Sequence, residues 1–226
     1  MAPAHLDEEG RTLLRRIVES LAWRQVGAMN ILGHCLKHVT RIDSKVLVAE
    51  ELNHSLLLFR EVRALYAELG WTDLESVVRE RVGELPFPGS RLEFGLCRFL
   101  GDRAERVAMQ SYVDCVDKRF AAIARTALET KSVLVPEGDE VFVEYCRDAS
   151  NRPHAQQMFD RWLAISVRAF GRAGTPADRR AVELGLRKKS NADLIRDFVG
   201  EIDPFRQRCG LERGALGELA ALGAGG

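Results

Sequence analysis

Residues 46–65, VLVAEELNHSLLLFREVRAL, decide the fold, because they have the periodicity of an amphipathic helix. Steps of three and four residues select a stripe that should face the core: Leu47, Glu51, His54, Leu58, Val62 and Leu65. Two members of this stripe, Glu51 and His54, are polar side chains that can bind a metal. Their i, i+3 spacing places a carboxylate and an imidazole on one helical face. If the neighbouring stripe faces the core instead, His54 is lateral; that stripe is Val46, Glu50, Asn53 and Leu57.

The preceding helix carries a matching polar interruption. Its apolar stripe consists of Leu13, Ile17, Leu21, Ala28, Ile31 and Cys35. Arg24 occupies the position in this stripe between Leu21 and Ala28. A guanidinium that faces a helical core needs a buried carboxylate, since the desolvation cost is otherwise several kcal/mol. We expect Glu51, on the next helix, to be that partner.

A third long helix is predicted over residues 91–130, and charges interrupt its apolar stripe as well. Asp102, together with Arg106 or Glu105, lies between Phe99 and Met109 on the inward face. Long helices that are interrupted by charges at comparable depths indicate a polar layer inside a bundle.

The remaining pattern is helical throughout, so the fold class is all-α. Asp7 is a candidate N-cap of the first helix, which should run to about Val39, and Asp43 a candidate N-cap of the second. Further helices are expected over residues 74–82, 140–149, from Pro153 to Gly171, 175–187 and 191–202. Residues 1–213 should form one domain, and residues 214–226, which are rich in Ala, Gly and Leu, a loose tail.

Composition excludes several classes of protein. The 226 residues are 46% hydrophobic with a formal net charge of +0, which does not favour nucleic acid or an anionic membrane surface as a partner. No apolar run approaches the roughly 20 residues that a membrane helix needs. Residues 1–10 lack the pattern of a secretory signal, and the 5 cysteines are scattered, so we expect reduced thiols in the cytoplasm.

Several stretches resemble the ferritin-like subunits of the phenylacetyl-CoA epoxidase complex, a bacterial multicomponent oxygenase of phenylacetate degradation. The resemblance covers most of residues 10–210 and is carried by the order of its pieces. In chain order these are LLRRIVESLAWRQVGAM (13–29), AEELNHSLLLFREVRALYAELGW (49–71), FLGDRAERVA (99–108), MFDRWLAISVRAFG (158–171) and KKSNADLIRDFVGEIDPFRQRCGLE (188–212). It implies a ferritin-like four-helix bundle with extra C-terminal helices.

The resemblance also implies a set of iron ligands. In the catalytic subunit of that family, a carboxylate on the first and third helices and Glu-x-x-His on the second and fourth hold the irons. Glu51 and His54 match the second helix and Asp102 the third. The first-helix carboxylate falls on Arg24, or on Gln25 if the register shifts by one. The fourth motif falls on residues 133–142, VLVPEGDEVF, where no Glu-x-x-His occurs.

An arginine at a ligand position opposes metal binding and can neutralise the same carboxylates. We therefore expect an ion pair of Arg24 with Glu51, Asp102 or both in place of the irons. The alternative is an occupied site, with Glu19 on the first helix and a carboxylate from residues 137–148 completing the ligands; the acidic residues there are Glu137, Asp139, Glu140, Glu144 and Asp148.

Other candidate sites have a plain structural interpretation beside the functional one. His34 and His38 either bind zinc or copper or suit the negative end of a helix dipole. Trp162 either lines a substrate channel or fills the core. A basic cluster late in the chain consists of Arg172, Arg179, Arg180, Lys188 and Lys189. It either binds the phosphates of a coenzyme A ester or an acidic partner, or it is simply a solvated surface.

Three functions stay open on the sequence. The first is a ferritin-like relative of the di-iron oxygenases with an incomplete metal site, acting as a structural or partner subunit. The second is a working non-haem di-iron or mono-iron oxygenase that uses Glu51, His54 and Asp102 as ligands. The third is a non-catalytic helical adaptor with an exposed apolar patch and no internal cavity. A homodimer, or a dimer with a related ferritin-like subunit, is implied by the resemblance.

Overall fold

A computed structural model describes residues 6–83, 85–131 and 138–214. Within these ranges the chain forms helices and connecting turns and no strand, which confirms the all-α class. The α-helices are α1 (Glu8–Cys35), α2 (Ile42–Glu68), α3 (Leu74–Val82), α4 (Arg91–Tyr112), α5 (Lys118–Lys131), α6 (Gly138–Arg147), α7 (Arg152–Arg168), α8 (Pro176–Glu183) and α9 (Asn191–Arg208). Short 3-10 turns occupy Leu36–His38 and Ala149–Asn151.

Helices α1 and α2 form the antiparallel hairpin that the short connection predicts. Asp7 caps α1 as expected, because its Oδ1 accepts a hydrogen bond from Gly10 N at 2.7 Å. The prediction for Asp43 is corrected: Arg41 occupies the N-cap position of α2, and Asp43 lies in the first turn without capping it. An acidic residue there still interacts favourably with the helix dipole.

The predicted helix over residues 91–130 is wrong as one element, because the chain turns between α4 and α5. Asp117 caps the new helix by accepting a hydrogen bond from Phe120 N at 2.8 Å. Val116 N donates to Gly185 O at 3.0 Å, so a distant loop holds the turn. The apolar stripe survives the break since the Tyr112 and Phe120 rings pack edge to face, 5.2 Å apart.

Two groups of helices enclose the core. Helix α1 packs against α2, α3 and α8, whereas α4 packs against α5, α6, α7 and α9, and α5 also reaches α2. One cluster of buried apolar side chains runs through both groups and includes the fully buried rings of Phe99, Phe159, Trp162 and Phe198. The groups therefore share one main core, and a smaller separate cluster contains Leu32, Cys35, Val39, Val48 and Phe94.

The later helices lie within a few residues of their predicted positions. Thr175 caps α8, and α9 continues through Pro204 to Arg208, beyond its predicted end near Ile202. Residues 215–226, most of the expected loose tail, lie outside the described residues. In the ranges that the structure covers, no helix has the length and apolar character to span a bilayer.

Candidate functional site

A central cavity of about 150 Å³, partly open to solvent, lies between the two groups of helices. Its walls come from α1, α2, α4 and α7. Trp23 and Trp162 contribute aromatic surface, and Ile31, Leu32 and Ala104 contribute aliphatic surface. A cavity of this size between four helices is the position in which helical bundles build ligand and metal sites.

Charged side chains interrupt this apolar wall, as the sequence predicts. Glu51 comes from α2, Asp102 and Glu105 from α4, Arg24 from α1 and Arg98 from α4. The structure thus brings together Arg24, Glu51 and Asp102, which the sequence had placed in one polar layer. Three carboxylates and two guanidinium groups face one small space.

Glu51 is in contact with Arg98. The Glu51 Oε2 and Arg98 Nη2 atoms lie 2.5 Å apart, and the Glu51 side chain is 9% exposed. The contact is an ion pair that lacks the alignment of a hydrogen bond. The Arg98 guanidinium also lies over the Phe94 ring, 5.6 Å from its centroid, which favours a cation. Because Glu51 is buried this deeply, the ion pair with Arg98, rather than solvent, mainly offsets the desolvation cost of its charge.

The sequence analysis had assigned this contact to Arg24. Arg24 Nε donates instead to Ser20 O, one turn earlier on α1, at 3.2 Å. Its Nη1 atom is buried and has no hydrogen-bond partner in the described part of the chain. Arg24 is therefore a wall residue of the cavity, and its ion pair with Glu51 or Asp102 stays a prediction.

Gln25, the alternative first-helix position, bridges the two groups of helices. Its side chain is almost completely buried at 1% exposure, and its Nε2 donates to Glu105 Oε1 on α4. Glu105 is thus held by a neutral amide, whereas Glu51 is held by a cation. The first helix offers an amide and a guanidinium where the family pattern has a carboxylate.

His54 lies on a different side of α2 from Glu51. It lines a groove between α2 and α5 together with Leu57, Arg119 and Ile123, while Glu51 lines the central cavity. Residues three apart on a helix differ by about 60° in direction, so one can face α4 and the other α5. Within residues 6–83, 85–131 and 138–214, no three His, Cys, Asp or Glu side chains are placed to hold one metal ion.

Glu19 belongs to a separate network near the other end of the α1–α2 hairpin, in which Glu19 and Tyr66 are buried and Asp73 is exposed. Tyr66 Oη donates to Glu19 Oε1 at 2.9 Å and to Asp73 Oδ1 at 2.8 Å, sharing its proton. Arg15 Nε donates to Glu19 Oε1 at 2.7 Å, and Arg15 Nη2 donates to Asp73 Oδ2 at 2.6 Å. Burial raises the pKa of the Tyr66 phenol, and the hydrogen bond from Tyr66 lowers the pKa of Asp73. This network joins α1, α2 and the start of α3, away from the central cavity.

The other sequence candidates lie at the surface or in the core. His34 stacks on Phe87 at 4.4 Å, and its ring lies 6.3 Å from that of His38; burial lowers the pKa of His34. Trp162 is both a core and a wall residue, and its Nε1 donates to Glu93 Oε1 at 2.9 Å.

Glu140, Glu144 and Asp148, the acidic candidates of residues 137–148 whose side chains the structure describes, do not line the cavity. Glu144 pairs with Arg147, Asp148 caps a 3-10 turn, and Glu140 lies 3.6 Å from Arg208. Glu137 and the side chain of Asp139 lie outside the described residues.

The predicted basic cluster separates into paired and unpaired members. Arg180 contacts Asp7, Glu9 and Glu183, and Arg179 donates to Gly174 O. Lys188 pairs with Asp114, and Lys189 with Asp197. Arg172 differs from these, because its guanidinium lines a cleft with other arginines.

Two functional residues of the cavity escaped the sequence analysis. Arg98 lies off the apolar stripe of α4, and Trp23 was not singled out. The available signal for Arg98 was its i, i+4 spacing to Asp102, which puts both on one face of α4.

Comparison with models of known protein families finds none that matches the chain, and comparison with curated proteins finds no significant match. The resemblance to the oxygenase subunits therefore stays a prediction from the residues themselves.

Proposed function

We propose that this protein is a ferritin-like relative of the di-iron oxygenase subunits in which arginines occupy the position of the metal centre. It acts as a structural or partner subunit without iron chemistry of its own. The observation that carries the proposal is the ion pair of Arg98 with Glu51 in the wall of the central cavity.

Electrostatics favour the ion pair over iron. A di-iron centre brings several positive charges and needs a set of carboxylates and histidines to offset and bridge them. The cavity wall already contains the guanidinium groups of Arg24 and Arg98. Two like charges 4 Å apart repel by about 4 kcal/mol at an effective dielectric constant of about 20. A cation entering beside Glu51 must overcome this repulsion and displace Arg98.

The arrangement of helices supports the ferritin-like part of the proposal. The α1–α2 hairpin and helices α4 and α7 all contribute to the wall of the cavity. Glu51 and Asp102 come from the second and the third long helices, in the order that the family pattern requires. His54 and Glu19 lie elsewhere, so the pattern is present only in part.

Exposed apolar side chains support a role as a partner subunit. Ile42 is 78% exposed, Val46 51% and Leu57 48%, and all three lie along α2. Positions 42, 46 and 57 repeat at helical spacing and so share one face. Apolar surface of this kind marks protein interaction sites. We propose that a second copy of the chain covers this face of α2.

Metal analysis tests the proposal. The protein is loaded with Fe²⁺ under anaerobic conditions, desalted and assayed for iron per chain. We expect clearly less than one iron per chain, because Arg98 holds Glu51. Two irons per chain, the content of a di-iron centre, would overturn the proposal.

The runner-up is a working non-haem iron oxygenase. The specific observation in its favour is that Glu51, Asp102 and Glu105 all line one cavity. Stoichiometric iron in the same assay, with loss of that iron on Glu51→Ala, would establish this function instead. A non-catalytic helical adaptor does not require a charged cavity. If the protein binds no iron, and if substitutions of the charged cavity residues leave its stability unchanged, the adaptor function would be favoured.

A further inference from the structure

A second, larger cleft adjoins the central cavity, with which it shares Trp23, Ile165 and Ala169, and has a volume of about 680 Å³. It is bounded by α1, the end of α3, the end of α7 and the segment of residues 170–181. The volume is that of sites for cofactors and drug-sized ligands. None of the predicted metal ligands lines it.

Five arginine side chains line this cleft. Arg187 is paired with Asp178, and the other four come from three helices and one turn. They are Arg16 on α1, Arg81 on α3, Arg168 on α7 and Arg172 in the turn after α7. In the described ranges, none of the four guanidinium groups has an ion pair or a hydrogen-bond acceptor from the protein. Most arginines elsewhere in the molecule do have such a partner.

The wall offers these arginines no free negative charge. Asp178 is the one carboxylate that the described residues contribute to it, and it already binds Arg187. All four arginines are exposed. Four cations around one cleft, without a free carboxylate among the described lining residues, give it a positive potential that attracts anions. Guanidinium groups match the geometry of phosphate oxygens, to which they donate paired hydrogen bonds.

The turn that carries Arg172 is held in place by partly buried hydrogen bonds. Asn191 Nδ2 donates to Arg172 O at 2.9 Å, and Gly174 N donates to Asp178 Oδ2 at 3.0 Å. Asp178 and Arg187 are 3% and 7% exposed, so this support lies inside the protein. Gly171 has a φ of 85°, which the tight turn requires and which favours glycine. A fixed turn lowers the entropy cost of ligand binding.

The cleft also has an aromatic and aliphatic wall. Trp23, Tyr112 and Phe170 line it beside Leu13 and Ile17. A ligand that fits combines several negative charges with a flat apolar group. We propose that this cleft binds a small molecule in which a di- or polyphosphate is attached to an aromatic ring system, as in a nucleoside diphosphate. This inference does not depend on the proposed loss of iron chemistry.

Binding of ADP to the full chain tests the inference by calorimetry at low salt. We expect ADP and inorganic pyrophosphate to bind, and adenosine to bind at least tenfold more weakly than ADP. The variant Arg16→Gln/Arg172→Gln should weaken ADP binding by tenfold or more, because two phosphate contacts are lost. Raising the salt concentration should weaken binding of ADP but not of adenosine.

A matched control removes the same kind of charge nearby. Arg79 lies on α3, two residues before Arg81, and forms a solvent-exposed ion pair with Glu75. The variant Arg79→Gln should therefore change the affinity for ADP by less than twofold. Circular dichroism confirms that each variant is folded. Equal ADP affinity in wild type and the double variant would overturn the inference. So would binding of DNA or an acidic peptide without binding of ADP or pyrophosphate, since the surface would then serve a macromolecule.

Discussion

Arg98 Nη2 lies 2.5 Å from Glu51 Oε2 and so joins α4 to α2 across the wall of the central cavity. Both side chains are largely removed from water, at 16% and 9% exposure. The carboxylate to which the resemblance assigns an iron-ligand role is thus paired with a cation of the protein itself. The account of the function rests on this pair, and its energetic signature is measurable.

Removing one member of the pair should be costly. Arg98→Leu leaves the Glu51 charge in the core without its cation, so we expect a loss of about 3 kcal/mol in the free energy of unfolding. The double variant Glu51→Leu/Arg98→Leu should recover most of this loss, because no buried charge remains. Urea denaturation of the wild type and the three variants, including Glu51→Leu, measures the coupling.

An exposed pair provides the control for that cycle. Arg106 contacts Glu201 at 2.6 Å with 53% and 33% of the side chains exposed, and Arg106→Leu should cost less than about 1 kcal/mol. If Arg98→Leu costs no more than Arg106→Leu, the Glu51–Arg98 pair does not hold the cavity wall together.

His54 should have no influence on iron. Because it lines the groove between α2 and α5, Fe²⁺ should leave the melting temperatures of the wild type and of His54→Ala equally unchanged. A ligand that binds the folded state at about 100 times its Kd adds about 2.7 kcal/mol of stability, so a real site is easy to detect. His154→Ala, a change at the surface, is the control. An iron-dependent rise that His54→Ala abolishes would place His54 among the ligands.

Tyr66 should control the titration of Asp73. The pKa of Asp73 is lowered chiefly by the hydrogen bond from Tyr66, so Tyr66→Phe should raise it towards its ordinary value. A carboxyl with a lowered pKa in the folded state adds stability above its unfolded pKa and loses it as the pH falls through the folded pKa. Tyr66→Phe should therefore have a smaller contribution of this kind, and its loss should be complete at a higher pH than in the wild type.

Carboxyl NMR titration of Asp73 measures this difference. Tyr145→Phe serves as the control, because Tyr145 Oη contacts His154 at the surface, 3.0 Å away. An Asp73 pKa that is the same in Tyr66→Phe and in the wild type would show that the network does not act on it.

The exposed face of α2 should mediate self-association. Val46→Glu/Leu57→Glu places charges on the side chains that we propose a second copy covers, and it should convert dimer to monomer in sedimentation velocity. Val141→Glu, at another exposed apolar position that is 46% exposed, should leave the dimer intact. A monomeric wild type at micromolar concentration contradicts this assignment of the face.

The sequence predicts most helices because local signals specify them. Asp7 and Thr175 are recognisable caps, and residues 74–82 form a helix with the predicted bounds. The break between α4 and α5 has one such signal, the capping residue Asp117. No Gly or Pro marks it, and it depends on the bond from Val116 N to Gly185 O, between segments far apart in sequence.

The site was predictable only as far as helical faces allow. Periodicity placed Arg24, Glu51 and Asp102 in one layer, and they do line one cavity. It could not separate Glu51 from His54, since about 60° of rotation decides which neighbouring helix each side chain meets. Periodicity also missed Arg98, because a long side chain can reach inward from a position beside the apolar stripe.

The most direct test of the central claim is an anomalous diffraction map from crystals soaked anaerobically with Fe²⁺. The account predicts no iron peak in the cavity that Glu51, Asp102 and Glu105 line, with Arg98 still in contact with Glu51. An iron peak within bonding distance of Glu51, with Arg98 displaced, would contradict it.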